Sequence, residues 1–154
     1  MKAVIVYDSN YGNTRAVAEA IAAALTGLRA RLVPAEHFVP GILDPGDLLI
    51  VGSPINGWQP TAKVQQALAE LPSDALHGVR AAAFDTLVRL FIHGDAARKI
   101  SKALQAHGAR IISTPMAFHV EGRDGPLADG ELQRAAGWAG NLLLQLRAAP
   151  KAKA

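Results

Sequence analysis

Five short apolar runs alternate with stretches of helical period along almost the whole chain, and few folds accept that pattern. The first run, "KAVIVY" (2–7), is rich in β-branched residues and shows no alternating polar face, which predicts a buried strand. Residues 14–26 set Val17, Ile21 and Leu25 four apart, one face of a helix. "ARLVPA" (30–35) reads as a second strand ended by Pro34, and Leu48 to Gly52 as a third between turn signals. A helix is expected over 61–71, on Val64, Leu68 and Leu71, stopped by Pro72. "VRAAAFD" (79–85) is a fourth strand and "ARIISTP" (109–115) a fifth. Between them, residues 95–107 align Ile100 and Leu104 ahead of a C-capping Gly108. A last helix is expected over 129–147, capped by Asp129, with Leu132, Leu142 and Leu146 inward.

Strands alternating with crossover helices make parallel sheets. The expected fold is therefore α/β: a three-layer α/β/α sandwich around a doubly wound, five-stranded parallel sheet. One link breaks the rhythm. "EHFVPGILDPGD" (36–47) holds two prolines and two glycines and allows at most a short helix. The expected organisation is one domain over 1–148, with 149–154 a disordered tail.

Several function classes recede on composition. Cysteine is absent, which removes disulfides, thiolate metal sites and thiol chemistry and fits a cytoplasmic protein. The five histidines are scattered without an H-E-x-x-H pair, so no metal is expected. No uninterrupted apolar run reaches the length of a membrane span. The net charge of +3 invites a nucleic-acid reading, but the cations are dispersed and aromatics are only 5 % of residues. No G-x-S-x-G elbow supports a hydrolase.

Ligands of open α/β sheets lie beyond the carboxyl ends of the strands. The loop after the first strand, "SNYGNT" (9–14), packs Ser9, Asn10, Tyr11, Gly12, Asn13 and Thr14 into a strand-to-helix corner without a lysine. Helix-end N–H groups and hydroxyls there could cradle one phosphate, or the same residues could simply cap a turn. It is neither a Walker loop nor a G-x-G-x-x-G fingerprint. The second loop, "GSPINGWQPTA" (52–62), sets the Asn56-Gly57 turn and Trp58 between Pro54 and Pro60. The third, "FDTLVRLFIHGD" (84–95), is apolar for a surface segment. A fourth segment, 118–132, carries His119, Glu121, Arg123 and Asp124; it reads as a hairpin leading to the Asp129 cap, or as a contact to the ligand's edge or to a substrate.

These three loops together resemble the flavodoxin-like family. Val6-Tyr7-Asp8-Ser9-Asn10-Tyr11-Gly12-Asn13-Thr14 matches the family's phosphate signature, "GSPINGWQP" resembles its second flavin loop, and "FDT" (84–86) its third. The similarity covers nearly the whole chain in the right order. It implies strand order 2-1-3-4-5 and bound FMN, with residues 9–14 on the phosphate. Pro54, Ile55, Asn56, Gly57 and Trp58 would line one side of the ring, Trp58 stacking and the Asn56–Gly57 peptide turning to serve flavin N5. Asp85, Thr86 and Leu87 would meet the ring edge and the ribityl chain.

The third loop departs from the family pattern. It lacks the usual glycine-rich turn and outer tyrosine; Leu87 and Val88 stand there, with Phe91 beyond. Electron-carrier flavodoxins are usually acidic, whereas the proposed flavin loops here hold only Asp85 and Asp95 beside Arg89. The resemblance thus implies an electron carrier with a less negative low-potential step, meeting redox partner proteins near 54–60 and 85–94. The alternatives are an FMN-dependent quinone or protoporphyrinogen-type reductase, and a module of this fold that has lost its flavin.

Overall fold

The computed structural model describes residues 1–55, 59–88, 96–122 and 124–148. The sequence-based expectations for Asn56, Gly57 and Trp58, for 89–95, for Arg123 and for the tail at 149–154 lie outside these residues.

The elements are β1 (Lys2–Tyr7), α1 (Asn13–Ala24), β2 (Arg29–Pro34), β3 (Leu48–Pro54), α2 (Ala62–Ala69), β4 (Arg80–Val88), α3 (Ala96–Ala106), β5 (Arg110–Ile111), β6 (Met116–Val120) and α4 (Glu131–Ala148). The sheet is parallel throughout, in the order β2-β1-β3-β4-β5, with β6 also paired to β4. The awkward 36–47 link holds two single-turn 3₁₀ helices, Ala35–His37 and Pro40–Ile42.

Period-two alternation sorts the core into two layers. Ala3, Ile5, Leu48, Ile50, Ala82 and Phe84 face α1 and α4. Their neighbours Val4, Val6, Leu49, Val51, Ala81 and Ala83 face α2 and α3. Strands buried on both faces are what near-continuous apolar runs require.

Three expectations need correction. The fifth strand is broken in two. Ile112 still donates its N–H to Ala81, 3.0 Å away, but pairing then stops until Met116. Between the Arg80–Arg110 and Phe84–Met116 pairs the edge carries two more residues than β4. Pro115 cannot donate to the ladder, and Ser113 Oγ bonds the Thr114 carbonyl instead, so the edge bulges there. Second, β4 runs on to Val88, three residues past its expected end at Asp85, so Thr86, Leu87 and Val88 of the third loop are strand. Third, α4 begins at Glu131, and Asp129 is exposed, with no capping contact among the described residues. Leu132 falls off the buried stripe and is 43 % exposed, whereas Leu142 and Leu146 point inward as expected.

Candidate functional site

The carboxyl ends of β1, β3 and β4 converge on the corner at 9–14. Asp8 donates its N–H to the Gly52 carbonyl at 3.2 Å, and Ile55 donates to the Thr86 carbonyl at 3.1 Å. Thr14 and Thr86, both buried, place their hydroxyl oxygens 2.9 Å apart. The first corner and the end of β4, distant in sequence, are therefore one surface.

The corner itself is built to leave donors open. Ser9 donates its N–H to Asp8 Oδ1 at 2.9 Å. Ser9 Oγ accepts the N–H of Gly12 at 3.0 Å and that of Arg15 at 3.4 Å. Gly12 takes φ +89°, in the left-handed region that favours glycine, and sits at the helix N-cap with no side-chain cap. A Cβ added there would meet nothing within 4 Å, so the space above it is open. The N–H groups of Asn10, Tyr11, Asn13 and Thr14 find no acceptor among the described residues. Capping thus uses only part of the corner: Ser9 serves two N–H groups, and four more are unspent.

The hydroxyls add to this. Ser9 Oγ acts as an acceptor in both of its bonds, so its own proton is unspent. Thr14 and Thr86 hold two protons and share one bond, which leaves one proton over. Arg15 is turned along the helix toward Glu19 (Nε to Oε2, 3.4 Å), both exposed.

The second loop is tied at its ends. Ser53 Oγ donates to the Pro54 carbonyl at 2.8 Å and accepts the Thr61 N–H at 2.9 Å. Gln65 Nε2 holds the Pro60 carbonyl at 2.7 Å. Ser53 was not singled out from the sequence; a serine between the strand and Pro54 was its signal. Asp85 is 3 % exposed and its Oδ2 accepts the Ala97 N–H at 2.9 Å, fixing the start of α3 to the end of β4. Leu87 is half-buried beside His119 of β6, and Tyr11 is half exposed at the rim.

The 118–132 segment is the expected hairpin. Val120 pairs antiparallel with Leu127, and Ala128 donates to the His119 carbonyl at 2.9 Å. Its tip reaches the first corner: a Cβ on Gly125 would lie 2.6 Å from Asn13 Oδ1. Buried Glu131 anchors its base, accepting the His119 N–H at 2.7 Å and Arg134 at 2.8 Å.

The flavodoxin family model matches residues 5–138. The chain belongs to the flavodoxin family. Flavodoxins bind FMN, and they are a worked case of the rule that places ligands at the strand-order switch between β1 and β3. Solved flavodoxins share the fold. An archaeal one superposes with a TM-score of 0.76 at 20 % identity, covering 96 % of this chain and 99 % of that one. Flavodoxin 1 of Bacillus cereus gives 0.79 at 18 % identity, over 98 % and 100 %. The rubredoxin oxygen:oxidoreductase of Desulfovibrio gigas gives 0.76 at 21 % identity, over 96 % of this chain but 36 % of that one. No curated protein sequence matches the chain.

The donor set fits the phosphate end of FMN. Four unspent N–H groups at a helix N-terminus, with open space above Gly12, suit a phosphate dianion without any lysine. No helix among the described residues is long and apolar enough to cross a membrane.

Proposed function

We propose that the loop from Ser9 to Thr14 holds the phosphate of FMN and that the protein passes electrons between redox partner proteins. The observation that carries this reading is the set of unspent N–H groups at Asn10, Tyr11, Asn13 and Thr14, set where the helix dipole favours an anion. The Ser9 hydroxyl and the spare proton of the Thr14–Thr86 pair supply two further donors. Bound FMN supplies reversible electron transfer. The chain supplies binding, orientation and shelter from water.

On this reading Pro54, Ile55, Asn56, Gly57 and Trp58 line one side of the ring, and the Ser53–Thr61 bond joins the end of β3 to the start of α2 beside it. Thr86 and Leu87 approach from the β4 side. Asp85 acts through α3, whose first turn it fixes. No side chain is assigned a role as acid or base. Partners meet the flavin edge near 54–60 and 85–94, residues 1–148 form the working domain, and the setting is the cytoplasm.

Titration of the flavin-free protein with FMN tests the reading. Saturable quenching of FMN fluorescence, with much weaker binding of riboflavin, is expected. A protein that quenches neither would overturn it. Steady NAD(P)H oxidation by the loaded protein alone would replace the carrier with a reductase.

A further inference from the structure

The end of the sheet that carries the corner is electrically lopsided. On one side stands α3. Its sequence, AARKISKALQA, carries three cations and no acid. Ala96, Ala97, Ile100 and Leu104 are buried, which leaves Arg98, Lys99 and Lys102 together on the exposed face. Four other cations are drawn into ion pairs: Lys2 with Asp44 and Asp47, Arg15 with Glu19, Lys63 with Glu36 and Arg134 with Glu131. The exposed Arg29, Arg31, Arg110 and Arg147 are spread over β2, β5 and α4. Arg98 and Lys102 have no such partner among the described residues. On the other side, the hairpin beside the corner exposes Glu121, Asp124 and Asp129.

The basic face is continuous with the site. Asp85 at the end of β4 accepts the Ala97 N–H, and the next residue, Thr86, shares its hydroxyl bond with Thr14. Arg98 therefore lies in the helical turn fastened to the strand that borders the corner. The dipole of α3 adds positive potential at the same end. Cations held beside a reaction site without acids of their own attract and orient an anionic surface. The face offers no large exposed apolar side chain for membrane insertion, and no aromatic for stacking bases.

We propose that the exposed face of α3, centred on Arg98 and Lys102, is the docking surface for a redox partner protein with an acidic face. The acidic hairpin repels that partner and so fixes its orientation. This rests on the FMN reading for the electron it delivers, but the docking itself does not require bound flavin.

Two measurements test it. In the first, ¹⁵N-labelled protein is titrated with reduced plant plastocyanin, an acidic-patch probe, at low and high salt. Shifts confined to α3 amides, lost by about 0.3 M salt where screening is short-ranged, support the proposal. Shifts at the hairpin, no shifts, or larger α3 shifts with a single-stranded oligonucleotide overturn it. In the second, the FMN-loaded, photoreduced protein is mixed with oxidised plastocyanin or with basic mitochondrial cytochrome c. Faster reduction of plastocyanin is expected, slowed about tenfold in R98E/K102E, with the preference reversed toward cytochrome c. An unchanged preference in R98E/K102E, and in the milder R98A/K102A, overturns the proposal. Failure of the flavin reading appears separately, as absence of FMN quenching with the α3 shifts intact.

Discussion

The hydroxyl oxygens of Thr14 and Thr86 lie 2.9 Å apart across 72 residues of chain. This bond joins the turn that opens α1 to the far end of β4, and it is buried. Replacing Thr86 with valine keeps the shape but removes the bond, leaving the Thr14 hydroxyl alone. The expected cost is about 1–3 kcal/mol of stability, the penalty for a buried hydroxyl left without its partner. FMN affinity should fall by a similar factor in Thr86→Val and Thr14→Val, and the double variant should lose less than the sum. Additive losses in a fluorescence titration would show that the two hydroxyls act independently.

Ser9 holds Gly12 and Arg15 through its Oγ and keeps one proton to donate. Ser9→Ala removes all three interactions. FMN binding is expected to weaken about tenfold, some 1.4 kcal/mol, close to the lower end of about 1.5–3 kcal/mol for a hydrogen bond to a charged group. Riboflavin, which has no phosphate, should bind the variant as it binds the parent chain. Equal weakening for both ligands would mean that Ser9 supports the fold of the loop and not the phosphate.

Among the described residues, the carboxylates near the proposed site are Asp8, Asp85 and three on the hairpin. Asp8 Oδ1 holds the Ser9 N–H at the phosphate corner, and Asp85 is buried against α3. The exposed Glu121, Asp124 and Asp129 sit on the hairpin beside that corner; 54–55 and 86–88, on the ring side, carry none. Negative surroundings resist adding an electron to an already reduced flavin. The low-potential step of the FMN-loaded protein is therefore expected to be less negative than in acidic carriers of this family. Potentiometric titration measures it directly, and a value as low as theirs would contradict the argument.

The fold was largely legible because it rests on local pattern. Apolar runs and helical periods gave the parallel α/β class, the resemblance to the flavodoxin-like family implied the strand order, and a strand-to-helix corner advertises its N–H groups wherever it occurs. What stayed hidden depends on partners remote in sequence. The fourth strand was expected to end at Asp85, yet it runs on through Thr86, whose hydroxyl is met by Thr14, while Asp85 is met by Ala97. The break in the edge strand lies inside one apolar-looking stretch, where Met116 resumes pairing after Pro115. Asp129 looked like a cap, but the hairpin delivers His119 to Glu131 instead, two residues on. In the site, Ser9 to Thr14 were readable, while Ser53 and Gly125 owe their roles to Thr61 and Asn13.

Gly52 has no room for a side chain. A Cβ there would lie 2.0 Å from Phe84 Cζ. The ring cannot swing aside, because Phe118 and Trp138 both pack against it edge-on, at centroid distances of 5.9 and 6.1 Å. Gly52→Ala should destabilise the fold by about 1–3 kcal/mol through overpacking. Adding Phe84→Leu frees space and should recover part of that loss. Urea unfolding of both variants checks this, and a Gly52→Ala protein as stable as its parent would contradict it.

Asp47 sets a pH dependence at the other end of the sheet. It is 4 % exposed; Oδ1 accepts the Lys2 N–H at 3.1 Å, Oδ2 accepts the Asp44 N–H at 2.8 Å, and Lys2 Nζ lies 2.7 Å from Oδ2. Burial works to raise its pKa, but the Lys2 ammonium and the two N–H donors outweigh it and hold the carboxyl below the usual range. With the folded value below the unfolded one, the unfolded chain binds more protons between them, so stability rises with pH there. The contribution is complete above about pH 4, the unfolded carboxylate value, and is lost as pH falls through the folded value. Asp47→Asn should cost about 1–2 kcal/mol at pH 7, since Lys2 stays partly in water and screening trims its share. The gap between parent and variant in denaturant unfolding should close as the buffer is taken from pH 5 toward pH 2. A gap of constant size across that range would trace the loss to packing and not to the charge.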